Sequence, residues 1–268
     1  MGGDKTVFLW DVARAEVLRR FSGHSGRCNA VVFGGEDDSV VITGKTSTCT
    51  SEVGTGCVKC DVLTGLRTGS FDATVKFWDT KSNSTKPLLT LSEAKDSVSS
   101  LAVAGHDVFA GSIDGRVRMY DIRMGEVYID LIGAPVTSVT TTNQADSMLV
   151  STLDSTLRLM DRRDGKCLKA YKNDGFVNEK YRIRSTLGAG DVFILSGSEN
   201  GEIFIWDLLG GSVKHRLRHD PASEHKSTAG KEDVISAVAY CPTRKEWASA
   251  GGDGMFPLMT IQIKHANS

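Results

Sequence analysis

The chain has 268 residues, with 32 basic and 33 acidic side chains for a formal net charge of -1, only 7% aromatic residues, 28 glycines and 5 prolines. A charge balance this close to zero excludes a strong field for nucleic acid or an anionic membrane, and no apolar run approaches the ~18–20 residues that cross a bilayer. Many glycines with few prolines and aromatics fit turn-rich β structure, and six cysteines without a secretory signal are expected as reduced thiols.

One frame recurs from end to end. An Asp or Asn is followed six residues later by Trp, Tyr or Met, usually with Asp next: Asp4 to Trp10-Asp11, Asp72 to Trp78-Asp79, Asp114 to Tyr120-Asp121, Asp154 to Met160-Asp161, Asn200 to Trp206-Asp207 and Asp253 to Met259. From Trp78 onward these anchors lie 42, 40, 46 and 53 residues apart. About 40–45 residues is the period of a four-stranded unit stacked radially on its neighbours. Trp10 to Trp78 is the exception, at 68 residues.

In chain order, Thr6 to Asp11 and Glu16 to Phe21 read as the two outer strands of a unit whose inner strands are absent, so the chain starts in mid-repeat. Met1-Gly2-Gly3-Asp4-Lys5-Thr6 fits a myristoylation pattern superficially, but Gly3-Asp4 belongs to the repeat frame. Ser22-Gly23-His24 opens the next unit, with strands at Cys28 to Phe33 and Ser39 to Thr43. In blades of this type a His, a Ser or Thr, the turn Asp and the Trp form a buried hydrogen-bonded chain, here His24, Thr43 or Thr68, Asp72 and Trp78, a structural rather than catalytic use of histidine.

Residues 45–69 have no period. Removing these 25 residues shortens the long interval to 43 and joins V-I-T-G to S-F-D, matching V-F-A-G-S-I-D at 108–114 and I-L-S-G-S-E-N at 194–200. Gly44-Lys45 can be encoded around a splice donor and Thr68-Gly69 around an acceptor in the same phase, so 45–69 reads as a non-native insert, a retained intron expected to be missing from spliced transcripts. Without it, Thr43 supplies the hydroxyl of the buried chain. The insert holds Cys49, Cys57 and Cys60, but one C-x-x-C pair without a second pair does not make a closed zinc site, and no metal or other cofactor is expected.

From Lys86 the units run cleanly, because runs of 4–8 residues between Gly and Asp turns read as strands. One comprises Val98–Val103, Asp107–Gly111, Arg116–Tyr120 and Glu126–Leu131; the next Val136–Thr141, Met148–Ser151, Thr156–Met160 and Cys167–Tyr171; the next Tyr181–Thr186, Val192–Ser196, Glu202–Trp206 and Val213–Leu217. Gly188-Ala189-Gly190 precedes a strand rather than a helix, so it is no phosphate loop. The basic clusters 162–166 and 214–218 read as solvated outer strands, and 219–233 as a long polar loop. Val234–Tyr240 and Glu246–Ala250 start a last unit, whose third strand is interrupted by Pro257. The array therefore spans 1–254, with 255–268 an off-pattern tail.

With these repeats laid out, the chain resembles the WD-repeat β-propeller proteins, and within them the mitogen-activated protein kinase organizer family of spliceosome-associated scaffolds. The residues that carry the likeness are G-G-D-K-T-V-F-L-W-D-V at 2–12, E-A-K-D-S-V-S-S at 93–100, A-G-S-I-D-G-R-V-R-M-Y-D-I-R-M-G at 110–125 and S-T-L-D-S-T-L-R-L-M-D at 151–161. The resemblance implies an all-β propeller, here incomplete, with about five of an expected seven blades and an unclosed ring. A chain so built is not expected to be a stable monomer until 45–69 are removed and the missing strands restored.

It further implies a non-enzymatic platform of nucleus and cytoplasm whose partners are splicing factors and MAP kinase components, with no nucleic acid, membrane or small-molecule substrate. The sequence contains no G-x-S-x-G elbow and no phosphate loop before a helix. A second reading rests on Tyr120-Asp121-Ile122-Arg123 and Met160-Asp161-Arg162-Arg163, which resemble the Trp-Asp-x-Arg box of cullin-RING ubiquitin ligase substrate receptors without its Trp, making Arg123 and Arg163 candidate partner contacts.

Overall fold

A computed structural model describes residues 5–33, 65–81, 84–218, 234–252 and 258–260. All of its regular structure is β, and every sheet is antiparallel and drawn from one continuous stretch of chain. Residues 1–131 and 132–268 form two compact units.

In the first unit, β1 (Thr6–Asp11) and β2 (Glu16–Ser22) make a two-stranded sheet. Next come β3 (Cys28–Phe33), β4 (Gly65–Ser70), β5 (Val75–Asp79) and the short β6 (Leu89–Leu91), paired in that order. β7 (Val98–Ala104), β8 (Asp107–Ser112), β9 (Arg116–Asp121) and β10 (Glu126–Leu131) complete the unit. Sheets stack face to face. Val7, Leu9 and Phe21 pack on Leu66 and Trp78, while Val75 and Phe77 pack on Val108, Ala110 and Tyr120.

The second unit repeats the plan. β11 (Val136–Thr141), β12 (Ser147–Thr152), β13 (Thr156–Asp161) and β14 (Cys167–Tyr171) form one sheet. β15 (Ser185–Gly188), β16 (Phe193–Gly197), β17 (Glu202–Asp207) and β18 (Val213–Arg218) form the next. β19 (Ile235–Cys241), β20 (Glu246–Gly251) and β21 (Leu258–Thr260) form the last. Leu149 and Leu157 pack on Ile194, Phe204 and Trp206, and Leu195 and Ile205 pack on Ile235 and Trp247.

The second strand of each sheet explains its sequence. A strand covered on both faces cannot alternate polar and apolar residues, so it becomes a continuous run of apolar and small ones. β8 and β16 are buried at every position. The outer strands β14 and β18, covered less, carry Lys169, Lys214, Arg216 and Arg218.

Three strands differ from the sequence reading. The second strand of the β3–β6 sheet is Gly65–Ser70, whose first five residues lie in the segment read as an insert; Ser39–Thr43 lies outside the described residues. Leu66-Arg67-Thr68-Gly69 offers the same Thr-Gly ending as Val41-Ile42-Thr43-Gly44, directly before Ser70-Phe71-Asp72. β15 begins at Ser185 instead of Tyr181, because one carboxylate oxygen of Glu199 accepts the backbone N–H groups of Glu179, Lys180 and Tyr181 at 2.7, 2.7 and 2.9 Å and curls the chain there. Strand pairing also resumes directly after Pro257, within the segment read as an off-pattern tail: Leu258, Met259 and Thr260 oppose Ala248, Trp247 and Glu246.

Using 65–70 as β4 has an energetic cost. Arg67 is 1% exposed at the position that Phe109, Leu149 and Leu195 occupy in the other four-stranded sheets. Burial pushes its guanidinium below the ordinary value, and the Phe77 ring, 5.4 Å away, offsets part of the lost hydration. Arg67→Leu is therefore expected to leave the urea midpoint unchanged or to stabilise by up to ~4 kcal/mol. A loss above ~1 kcal/mol would refute this account of β4.

Candidate functional site

The connection from β2 to β3 carries His24 to the tip of the β4–β5 hairpin. Gly23 leaves room for this: a side chain there would meet Trp78 at 3.2 Å. His24 Nδ1 donates to Asp72 at 3.0 Å and its Nε2 accepts from the Thr68 hydroxyl at 2.7 Å. The Trp78 indole N–H donates to the same hydroxyl at 2.8 Å. Asp72 accepts the Ser25 N–H at 2.8 Å and the Thr74 hydroxyl at 2.6 Å. The structure thus joins His24, Thr68, Asp72 and Trp78 in one relay; Thr43, the other candidate hydroxyl, lies outside the described residues.

The electrostatics follow from burial. Desolvation pushes His24 below its ordinary value, against the pull of Asp72, so the ring is neutral. Burial alone would raise the Asp72 carboxyl, but hydrogen bonds from Thr74, His24 and Ser25 hold it far below the usual carboxylate range. The residue types match a nucleophilic triad, yet Thr68 is fully buried and the Trp78 indole donates to its hydroxyl. No reacting carbonyl can reach it, so this relay fastens strands.

The other sheets treat the same Asp differently. Asp114 binds Arg118 at 2.6 Å and Asp154 binds Arg158 at 2.5 Å, the Arg standing four residues after the Asp in both. Burial would raise both carboxyls, and the arginines, together with the Lys95 N–H and Ser112 at Asp114 and the Thr152 and Thr156 hydroxyls at Asp154, more than reverse it. Sequence reasoning missed these pairs; the signal was D-G-R-V-R at 114–118 and D-S-T-L-R at 154–158. In the β15–β18 sheet, Asn200 donates to the Gly175 carbonyl at 2.7 Å, and the buried Trp206 indole N–H finds no hydrogen-bond acceptor among the described residues.

Arg123 and Arg163 sit in matching turns between the third and fourth strands. Asp121 accepts the Arg123 N–H at 2.8 Å, Asp161 accepts the Arg163 N–H at 2.7 Å, and a left-handed Gly125 or Gly165 closes each turn at φ 71° or 63°. Both arginine side chains face solvent. Among the described residues no three His, Cys, Asp or Glu side chains gather where a metal ion would bind; Cys49, Cys57 and Cys60 lie outside them.

Trp78→Phe, which leaves a buried Thr68 lone pair unmet, is expected to cost ~1–3 kcal/mol more than Trp206→Phe, which removes an orphan donor. Arg123→Ala should change stability by less than ~0.5 kcal/mol. Urea titrations check all three, and equal losses at Trp78 and Arg123 would overturn the relay. Acid should act in two stages. As pH falls below 6.5, the unfolded chain takes up a proton that folded His24 resists, so stability falls. Below 3.8, Asp72, Asp114 and Asp154 lose their ionised-state stabilisation in turn. Urea midpoints between about pH 3 and 8 read this out, and His24→Gln should abolish the first stage.

Comparison with known proteins agrees with this architecture. Residues 85–121 match the family model described as WD domain, G-beta repeat. The chain is 41% identical to WD repeat domain-containing protein 83 of Rattus norvegicus over 162 residues, 60% of this chain and 47% of that protein. For the Homo sapiens protein of the same name the figures are 38%, 59% and 46%. A WD repeat domain-containing protein 83 homolog of Dictyostelium discoideum is 29% identical over 93% of this chain and 74% of its own length. The chain thus spans about half the length of the mammalian relatives it matches. Its Asp-to-Trp frame, its four-stranded antiparallel blades and these likenesses together make it similar to the WD-repeat proteins, with the repeat model itself matched at residues 85–121.

Proposed function

We propose that the protein is a non-enzymatic scaffold of nucleus and cytoplasm that holds components of pre-mRNA splicing complexes together, and that it also serves a MAP kinase cascade. The observation that carries this reading is the pair of motifs D-G-R-V-R-M-Y-D-I-R-M-G at 114–125 and L-D-S-T-L-R-L at 153–159, which resemble those of the MAP kinase organizer scaffolds. Their arginines 118 and 158 hold Asp114 and Asp154. What further supports a scaffold is the use of the polar residues. The His24 relay and the Asp114–Arg118 pair lie buried between strands, and the partly exposed Asp154–Arg158 pair closes its hairpin, so these groups hold the sheets.

Affinity purification of the tagged full-length protein from its own cells, followed by mass spectrometry, tests the proposal. Splicing factors are expected as the main group, with MAP kinase components beside them. Recovery of neither would overturn it. Recovery of a cullin-RING ligase adaptor, lost when Arg123→Ala is combined with Arg163→Ala, would assign the protein as a substrate receptor instead.

A further inference from the structure

Among the described residues, β2 and the fourth strand of each four-stranded sheet present an open edge, and an open edge is a template for another strand unless something spoils it. Four of the five such strands are spoiled. β2 carries Arg19 and Arg20, β14 carries Lys169, and β18 carries Lys214, Arg216 and Arg218. Each of these three also shifts register against its neighbour, which bends and twists the edge. β6 is only three residues long.

β10 has none of these protections. Its sequence, E-V-Y-I-D-L, contains no Lys, Arg or Pro, and it pairs with β9 residue for residue from Glu126↔Asp121 to Leu131↔Arg116 without a shift. Val127, Tyr128 and Ile129 are 39%, 52% and 51% exposed, and Leu131 is 69% exposed. Successive residues of a strand point to opposite faces, so this exposure leaves both faces of β10 open. Burying such a row on the surface is unfavourable unless a partner covers it.

We propose that the outer edge of β10 docks a β-strand of a partner protein in which Lys or Arg alternates with apolar residues. Main-chain hydrogen bonds along the free edge supply the pairing, and side chains on both faces supply selectivity. Charge picks the partner. The edge holds two carboxylates, Glu126 and Asp130, and no base. A second copy of β10, paired antiparallel about Tyr128, would set Glu126 opposite Asp130 twice, and like charges directly opposed destabilise. A basic strand turns both positions into attractive pairs and lays an aliphatic residue against Val127 and Ile129. The inference deepens the scaffold reading, on which it rests, by naming the chemistry of one partner segment.

Fluorescence anisotropy with the full chain tests it, using three labelled peptides: a seven-residue alternating Lys/Val peptide, its Glu/Val counterpart, and the Lys/Val peptide N-methylated at alternate residues. The Lys/Val peptide is expected to bind and the other two not to, since one lacks the charge and the other the hydrogen-bond donors. Glu126→Lys with Asp130→Lys should weaken Lys/Val binding at least about tenfold, ~1.4 kcal/mol, and improve Glu/Val binding. Ile129→Asp should weaken Lys/Val binding with an unchanged melting temperature, since the residue is exposed. Equal binding of the methylated peptide, no binding at about 1 mM, or binding unmoved by the variants would overturn the proposal. Concentration-dependent dimers abolished by Lys214→Glu with Arg216→Glu would place β18 of a second copy on the edge and overturn it too. Peptide binding is read without any cellular assembly, so its failure removes the edge site alone, and a purification lacking splicing and kinase components removes the scaffold assignment alone.

Discussion

A strand buried at nearly every position has nowhere to send a polar side chain, and this restriction governs the described residues. β8, β12 and β16 are buried almost throughout, and the Asp or Asn of the turn that follows each is bound within a few ångströms. Two chemical solutions appear. In the β3–β6 sheet a relay runs from Trp78 through Thr68 and a neutral His24 to the Asp72 carboxylate and draws its members from three segments of chain. In the β7–β10 and β11–β14 sheets an arginine four residues downstream answers the carboxylate from within the same hairpin. The relay therefore ties the incoming connection to the hairpin tip; the ion pair closes the hairpin on itself.

The repeat frame was legible because turn geometry fixes both of its ends, the Asp that caps the turn and the large residue that fills the space between sheets. Strand limits such as Val136–Thr141 and Cys167–Tyr171 were legible from pattern, since burial enforces it. Part of what stayed hidden depended on contacts distant in sequence. Nothing local to Tyr181 signals that Glu199 will gather its backbone N–H. Thr43 and Thr68 both end in Thr-Gly, and pattern alone could not choose between them. Arg118 and Arg158 escaped because an arginine on a strand reads as solvated, while Arg118 is 1% exposed.

The turns between third and fourth strands separate structure from surface. Asp121, Asp161 and Asp207 each accept backbone N–H groups, and Gly125, Gly165 and Gly211 each donate back to that Asp carbonyl at 2.9, 3.1 and 2.8 Å. Only the ends of the turn are constrained. The residues between, such as Arg123, Arg163 and Leu209, are exposed and can differ from blade to blade without disturbing the strands. A scaffold needs this division, because its contacts can then change while its framework stays fixed.

Gly69 and Gly197 occupy equivalent places near the ends of β4 and β16. A methyl group at the first would lie 2.6 Å from Val98, and at the second it would strike the Ile235 carbonyl. Gly105 and Gly125, by contrast, face open space and require only an unusual backbone angle, one that Asn tolerates. Inherited variation should therefore be read by address rather than by residue type. A missense change at a loop glycine is a candidate for a silent polymorphism, while the smallest change at either seam glycine wedges two sheets apart and is a candidate for a loss-of-function allele.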